Sequence, residues 1–299
     1  MSNLKNAYSR ILAAILLWST VASVFKLALK ELDYIQILFF ASFSSTAVLA
    51  VIILLQKKIP FLIKQTRLDI IKSAGIGFLN PFLYYMALFK AYSLLPAQEA
   101  QPLNWTWPIA LTLLSAPILR QKLRFISVIG IFVSFTGVLV ISTGGIPWDL
   151  HFTNLTGDIM AVSSSIIWAA YWIINLKDRR EPVIKLFMGF VFGTFYSLTA
   201  LLLMTNFETA NISGLAFTVY IGLFEMGLTF IIWLKALEIA GDNASVANYA
   251  YLTPFISLIF IHYIVGETIQ ISSITGLTLI IGGILIGSVR RKYSSDALQ

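Results

Sequence analysis

Ten stretches of roughly 20 mostly apolar residues follow one another along the chain, at about 10–29, 34–55, 69–93, 96–119, 124–143, 157–176, 183–205, 214–238, 243–265 and 271–289. As a helix, each would cross about 30 Å of hydrocarbon. Inside lipid the backbone N–H and C=O groups find no water, so a stretch of this kind must close its hydrogen bonds within itself, as a helix does. A barrel would need alternating segments of about ten residues, and these runs are continuous. Composition matters only as a check: 58% of the 299 residues are hydrophobic and 12% are charged, against roughly half and a quarter in a soluble domain. The expected fold class is therefore all-α, a polytopic membrane protein of ten transmembrane helices. The first stretch carries Ser19, Thr20, Ser23 and Lys26 in its interior, unlike the plain apolar region of a signal peptide, and is read as a retained helix.

Basic residues set the expected orientation. Lys57, Lys58, Lys64, Arg67 and Lys72, then Arg120, Lys122 and Arg124, then Lys177, Arg179, Arg180 and Lys185 all fall on one side of a ten-span chain, together with both ends. The opposite loops hold Lys30 alone, and the loop near 143–157 has no Lys or Arg. The positive-inside rule places both termini in the cytoplasm, in a bacterial cytoplasmic (inner) membrane. The net charge of +7 follows from this bias, and no basic patch with interleaved aromatics points to nucleic acid. The expected partners are a small-molecule substrate and the lipid bilayer; the oligomeric state is left open.

The chain also matches itself at a nearly constant offset. Trp18 falls on Trp168, "GFLN" at 77–80 on "GLFE" at 222–225, and "LFKA" at 88–91 on "WLKA" at 233–236. Further along, Trp105 falls on Tyr251, Pro108 on Pro254, Gly130 on Gly276 and Gly137 on Gly283. This divides the chain into residues 1–150 and 151–299, five spans each. Because five is odd, the second half enters the membrane upside down, and two inverted halves can open a central site to each side in turn by rocking against one another.

"LLWST" in the first span, "NWTWP" at 104–108, "IWAAY" at 167–171, "YLTP" at 251–254 and the Gly266–Glu267 pair resemble the EamA branch of the drug/metabolite transporter superfamily. "NWTWP" and "IWAAY" are most similar to bacterial exporters of aromatic amino acids. The resemblance implies a basket of eight helices around a central cavity, with spans five and ten paired at one side. Those two spans carry Gly130 and Gly137, and Gly276, Gly283 and Gly287, which let helix backbones approach closely where lipid supplies no hydrophobic force between helices.

Within 96–119, Gln98, Gln101, Trp105, Pro108 and Thr112 recur at spacings of three and four and so share one helical face. Unpartnered amides are costly in hydrocarbon, so that face is expected to line a wet path. Pro108 and Pro254 are candidate gating kinks, or else simply fix the shape of the bundle. Trp168, Tyr171 and Trp172 put three rings on one face. They are either interfacial belt residues or, with Trp105, Trp107, Tyr84 and Tyr85, rings that stack a flat substrate or enclose a cationic one. The resemblance implies cavity lining for Trp105 and Trp168, with Tyr251 and Trp18 as their mates; Asn248 completes the candidate set.

Intramembrane ionisable groups are costly and point to function. Lys26, Lys90 and Lys235 lie near span ends, where the side chain can snorkel. Glu225 falls mid-span, with Asn80 as its repeat mate expected to face it at the same depth. It is a structural hydrogen-bond partner, a contact for a substrate ammonium, or a proton carrier.

The leading function is transport of amino acids or related small metabolites, by export or facilitated movement through alternating access. The alternative is a drug, nucleoside or cofactor transporter of the same fold. An intramembrane enzyme or receptor ranks last. There is no HExxH, GxSxG or phosphate-binding Lys loop, the two histidines (His151 and His262) have no Ser/Asp companions, and the outer loops are short. With no cysteine, neither a disulfide nor a Cys/His metal site is expected, and no cofactor is assigned.

Overall fold

The computed structural model describes residues 2–118, 125–146, 148, 152–205, 211–240 and 248–288. Every regular element among them is helical. Six helices are long and apolar enough to cross a membrane: Tyr8–Glu31, Tyr34–Leu55, Phe125–Ser142, Leu155–Asn175, Pro182–Met204 and Ile212–Trp233. Two shorter apolar ones, Tyr249–Val265 and Ile271–Gly287, follow.

In chain order the helices that carry the argument are α1 (Ser2–Glu31), α2 (Tyr34–Leu55), α3 (Ile59–Ile63), α4 (Arg67–Gly77), α5 (Tyr84–Leu94), α6 (Ala97–Asn104), α7 (Trp107–Ile118) and α8 (Phe125–Ser142). They continue with α9 (Leu155–Lys177), α10 (Pro182–Met204), α11 (Ile212–Tyr220), α12 (Leu228–Ala240), α13 (Thr253–Phe260) and α14 (Ile271–Ser288). Polar side chains at loop positions cap them: Asp33 and Gln36 form a reciprocal box at the start of α2, Thr66 and Asp69 another at α4, and Asn154 caps α9. Each satisfies amides that a helix start leaves unpaired.

Several expected spans are broken. A π-helical turn, Phe78–Leu83, separates α4 from α5, with Asn80 in extended backbone (φ −144°, ψ 122°) ahead of Pro81, which has no N–H to give. A second π turn, Ile221–Glu225, follows α11. A turn at Trp105–Thr106 divides α6 from α7, and a 3-10 turn, Asn248–Leu252, precedes α13. Pro108 and Pro254 therefore do not kink continuous helices, contrary to expectation. Each sits in the first turn of a new helix, where a missing amide hydrogen costs nothing.

Glycines set the closest approaches. A Cβ on Gly193 would strike the Pro81 ring and one on Gly77 would strike the Gly189 carbonyl, so α10 presses directly against the first π turn. The most extensive helix pair is α8 with α14. Here Gly130 meets Gly283 and Gly137 meets Gly276, carbonyl against Cα, and the buried Ser134 hydroxyl donates to Ile280 O at 2.9 Å. The packing role expected of these glycines is observed.

At the end that holds the basic loops, Arg180 binds both oxygens of Asp178 (2.6–3.0 Å), Asp69 O (3.0 Å) and Ser73 Oγ (2.8 Å), tying the 178–181 loop to α4. Lys58 pairs with Glu181 at 2.6 Å. Burial pushes the Asp178 carboxyl up, but the hydrogen bonds and charge of Arg180 outweigh it and hold the group below the ordinary carboxylate range. A depressed value of this sign adds stability above the unfolded-state value and loses it as pH falls through the folded one. Lys26 donates to Tyr92 O (2.9 Å) and Leu95 O (3.0 Å), Lys90 lies 4.8 Å from the Tyr34 ring, and Lys235 is exposed.

Candidate functional site

A cavity of about 360 Å³ opens among the helices, within the roughly 300–1,000 Å³ typical of small-molecule sites. Its walls come from α1, α5, α6, the Trp105 turn, α7, α9, the end of the second π turn, α12 and residues 250–253. None of the described residues of α2, α10, α8 or α14 borders it, so the lining is narrower than eight helices.

One wall is a continuous aromatic sheet. Tyr84 stacks on Trp168 (centroids 4.7 Å, planes 28° apart), Trp168 stacks on Tyr171 (5.4 Å, 23°), and Trp172 stands edge-on to Trp168 (5.9 Å). Phe230, which touches Trp168 (5.7 Å), joins this to a second wall where Trp18 packs against Phe230 (5.6 Å) and Trp233 (5.5 Å). Trp105 and Tyr251 meet edge-on at 6.5 Å. Such pairs are worth about 0.5–1.5 kcal/mol beyond their buried area, and a ring missing from either wall leaves its neighbours without that contact.

Polar groups are few and placed singly. Glu225 ends the second π turn, at the point where α-helical geometry lapses, and its Oε1 accepts from the Tyr85 hydroxyl at 3.2 Å. Tyr84 OH donates to Asn104 Oδ1 (3.4 Å), whose amide in turn donates to Ser164 Oγ (2.8 Å). Gln101 Oε1, Thr253 Oγ1 and Trp172 Nε1 are buried and bond to none of the described residues. Among the described lining residues there is one carboxylate, Glu225, and no Lys, Arg or His. The arrangement can hold a flat molecule between rings, fix it through a few hydrogen bonds and balance one positive charge. It offers no cation to a carboxylate or phosphate.

Trp18, Tyr84, Gln101, Trp105, Trp168, Trp172, Glu225 and Tyr251 thus meet at one cavity. Other candidates go elsewhere. Gln98 lies off the cavity because both ends of its amide are spent on the start of α14 and the segment before it: Nε2 donates to Thr268 O (2.9 Å) while Oε1 accepts from Gln270 N (2.7 Å) and Ser273 Oγ (3.1 Å). Thr112 is exposed, since the break at Trp105–Thr106 ends the shared face expected of 98–112. Tyr171 backs Trp168 and borders a smaller pocket of about 210 Å³ beside Asn175 and Lys185. Asn80 is buried, does not border the cavity, and lies beside the Tyr171 phenol. The Asn248 side chain lies outside the described residues. Pro108 and Pro254 border the cavity at neither break.

Sequence reasoning missed Phe25, Asn104, Phe230 and Trp233. Asn104 opens "NWTWP" and Trp233 opens the repeated "WLKA", so both carried a signal; Phe25 and Phe230 are single aromatics in apolar runs and carried none.

Residues 6–143 and 155–289 each match the model of the EamA-like transporter family. An uncharacterized transporter of Archaeoglobus fulgidus is 24% identical over 297 residues, covering 96% of this chain and 99% of the relative. A protein of Ancylobacter novellus named aromatic amino acid exporter YddG is 26% identical over 192 residues, 62% of this chain and 64% of the relative. A solved crystal structure superposes with a TM-score of 0.67 at 22% identity, over 97% of this chain and 99% of the other, and shares the fold.

Proposed function

The chain belongs to the EamA-like transporter family, and we propose that this multi-pass membrane transporter carries flat, amine-bearing small molecules, aromatic amino acids and their amines among them, by alternating access through the aromatic cavity. One observation carries the reading: eleven aromatic side chains, Trp18, Phe25, Tyr84, Tyr92, Trp105, Trp107, Trp168, Trp172, Phe230, Trp233 and Tyr251, line a cavity whose one charged group among the described residues is Glu225. Rings stack on flat apolar faces and attract cations, and a buried carboxylate selects an ammonium. The similarity to the relative named as an aromatic amino acid exporter points to the same ligand class. A catalytic role is not proposed.

We further propose ten spans in two inverted halves, residues 1–150 and 151–299. The packing supports this: exchanging the repeat mates Gly130 with Gly276 and Gly137 with Gly283 converts the Gly130–Gly283 contact into the Gly276–Gly137 contact, as a twofold axis requires. The π turns at Phe78–Leu83 and Ile221–Glu225, and the breaks ahead of Pro108 and Pro254, also fall at nearly matching places, while a third π turn, Ile261–Val265, has no such counterpart among the described residues of the first half. The location proposed is a cytoplasmic membrane with both termini inside. Reporter fusions active in the cytoplasm at each end are the expected result, and a C-terminus on the far side would defeat the ten-span count.

Ligand binding tests the cavity. Thermal stabilisation of detergent-purified protein should be produced by aromatic amines and amino acids and not by dicarboxylates or sugar phosphates. Trp168→Ala, which removes the ring between Tyr84 and Tyr171, should weaken that binding about tenfold. Stabilisation by dicarboxylates, or full affinity in Trp168→Ala, would overturn the reading. Net uptake by reconstituted vesicles then separates transport from binding alone.

A further inference from the structure

A second group of buried polar atoms lies toward the end of the bundle away from the basic loops, outside the cavity. Glu99, in the first turn of α6, and Asp158, in the first turn of α9, are only 5% and 6% exposed and lie side by side where α6 packs on α9. Glu99 Oε1 and both Asp158 oxygens receive no hydrogen bond from any described group. The Ser142 hydroxyl, 2% exposed at the end of α8, points at Asp158 and is also without a partner of hydrogen-bonding geometry.

Acids at a helix start are ordinarily satisfied by its free amides. Here no described amide reaches Glu99 Oε1 or either Asp158 oxygen. Ala97 N and Gln98 N donate to the Glu267 carboxylate (2.8 and 3.1 Å), and Glu99 N and Ala100 N to Pro96 O (3.1 and 3.0 Å). On α9, Gly157 N donates to Asn154 Oδ1 and Asp158 N to Asn154 O, both at 3.0 Å. The other titratable neighbours supply no donor either. Lys26 of α1 is committed to Tyr92 O and Leu95 O, Lys30 is exposed one turn further along α1, and Tyr92 is buried on α5 beside the cavity. His262 Nδ1 meets Glu267 O at 2.9 Å, and α8 brings the Ser142 hydroxyl.

Ionised carboxylates only accept, so two in contact leave each other unsatisfied and repel. One proton between them removes a charge and supplies the missing hydrogen bond. We propose that Glu99 and Asp158 form a site for a single shared proton, and that gain or loss of this proton closes or parts α6 and α9 at that end of the bundle. Both helices run on into the cavity. Gln101 follows Glu99 by two residues, Trp168 follows Asp158 by ten, and Asn104 to Ser164 (2.8 Å) and Thr106 to Ser165 (2.9 Å) couple the helices below the pair. Binding at the cavity is thereby linked to protonation at the acid pair.

Infrared spectroscopy of the full chain in lipid discs tests the site without a transported substrate, so its failure is separate from failure of the cavity reading. The wild-type protein should show a protonated-carboxyl stretch, identified by its deuterium shift, that is lost as pH rises. Glu99→Gln and Asp158→Asn should each lack the band, because an amide donates to the remaining carboxylate with no proton needed, while Glu225→Gln retains it. If one amide variant does not fold, the other makes the assignment. Absence of a titrating band in the wild type overturns the proposal, as does its survival in either amide variant. Loss of the band on adding sodium at constant pH overturns it too, since the occupant would then be a sodium ion.

Discussion

Glu225→Gln is expected to lower affinity for amine substrates about 10- to 100-fold, with the protein still folded. The carboxylate is the one charged group among the described lining residues, and its Oε1 accepts from Tyr85 OH. A glutamine keeps the size and can accept the same hydrogen bond through its amide oxygen, so packing around the second π turn is preserved. What disappears is the charge, and a charge-assisted hydrogen bond is worth about 1.5–3 kcal/mol. Neutral analogues of the same ring system should bind the variant and the wild type alike, because stacking on Tyr84 and Trp168 is untouched. The pH response separates two roles for the residue. A proton carrier would lose accumulation driven by a pH difference and keep substrate exchange, whereas an ammonium contact loses amine affinity at every pH. Isothermal titration with amine and neutral pairs decides the matter. Equal affinity of wild type and variant for both members would reduce Glu225 to a structural partner of Tyr85.

The second large effect concerns two adjacent residues on α14. Gly282→Ala should be tolerated, since a Cβ there meets nothing within 4 Å. Gly283→Ala should not, since its Cβ would collide with Ser134 Oγ and the Gly130 carbonyl and force α8 and α14 apart. Overpacking of this kind costs about 1–3 kcal/mol, and separating the helices also loses the Ser134 to Ile280 hydrogen bond. Each kcal/mol lowers the unfolding midpoint by about 2–4 °C in chains of comparable size. The measurement is the thermal midpoint of the two purified variants in one detergent. Matching midpoints would mean that the α8–α14 seam is looser than its backbone contacts indicate. Because neither helix borders the cavity, any Gly283→Ala protein that folds should bind ligand with unchanged affinity.

Much of this architecture is legible in the residues themselves. Apolar runs identify membrane segments because lipid imposes the same demand on every backbone amide, whatever packs beside it. Gly130, Gly137, Gly276 and Gly283 announce close helix contacts by lacking a side chain. The tryptophans and tyrosines of "NWTWP", "IWAAY" and "YLTP" stand out as large rings, and Trp105, Trp168 and Tyr251 do border one cavity. These signals belong to single residues or to one helix, so they need no knowledge of the partner.

Tertiary structure decided what depends on two elements at once. Gln98 and Gln101 look equivalent on a helical wheel. The start of α14 and the segment before it engage both ends of the first side chain's amide, while the second keeps Oε1 unbonded to any described residue at the cavity wall. Pro108 and Pro254 read as kinks within long runs, yet the chain restarts its helices just ahead of them, because a first turn has no use for the hydrogen that proline lacks. Asn80 and Glu225 match in the repeat, yet only Glu225 borders the cavity, while Asn80 sits in extended backbone ahead of Pro81. Glu99 and Asp158 are ordinary helix-start acids until Glu267 takes the first amides of α6, Asn154 caps α9, and Glu99 Oε1 and both Asp158 oxygens are left without a donor among the described residues. Hydropathy and size are properties of one residue, written in its side chain; hydrogen-bond partners and cavity walls are properties of pairs, and only the packed bundle chooses the pairs.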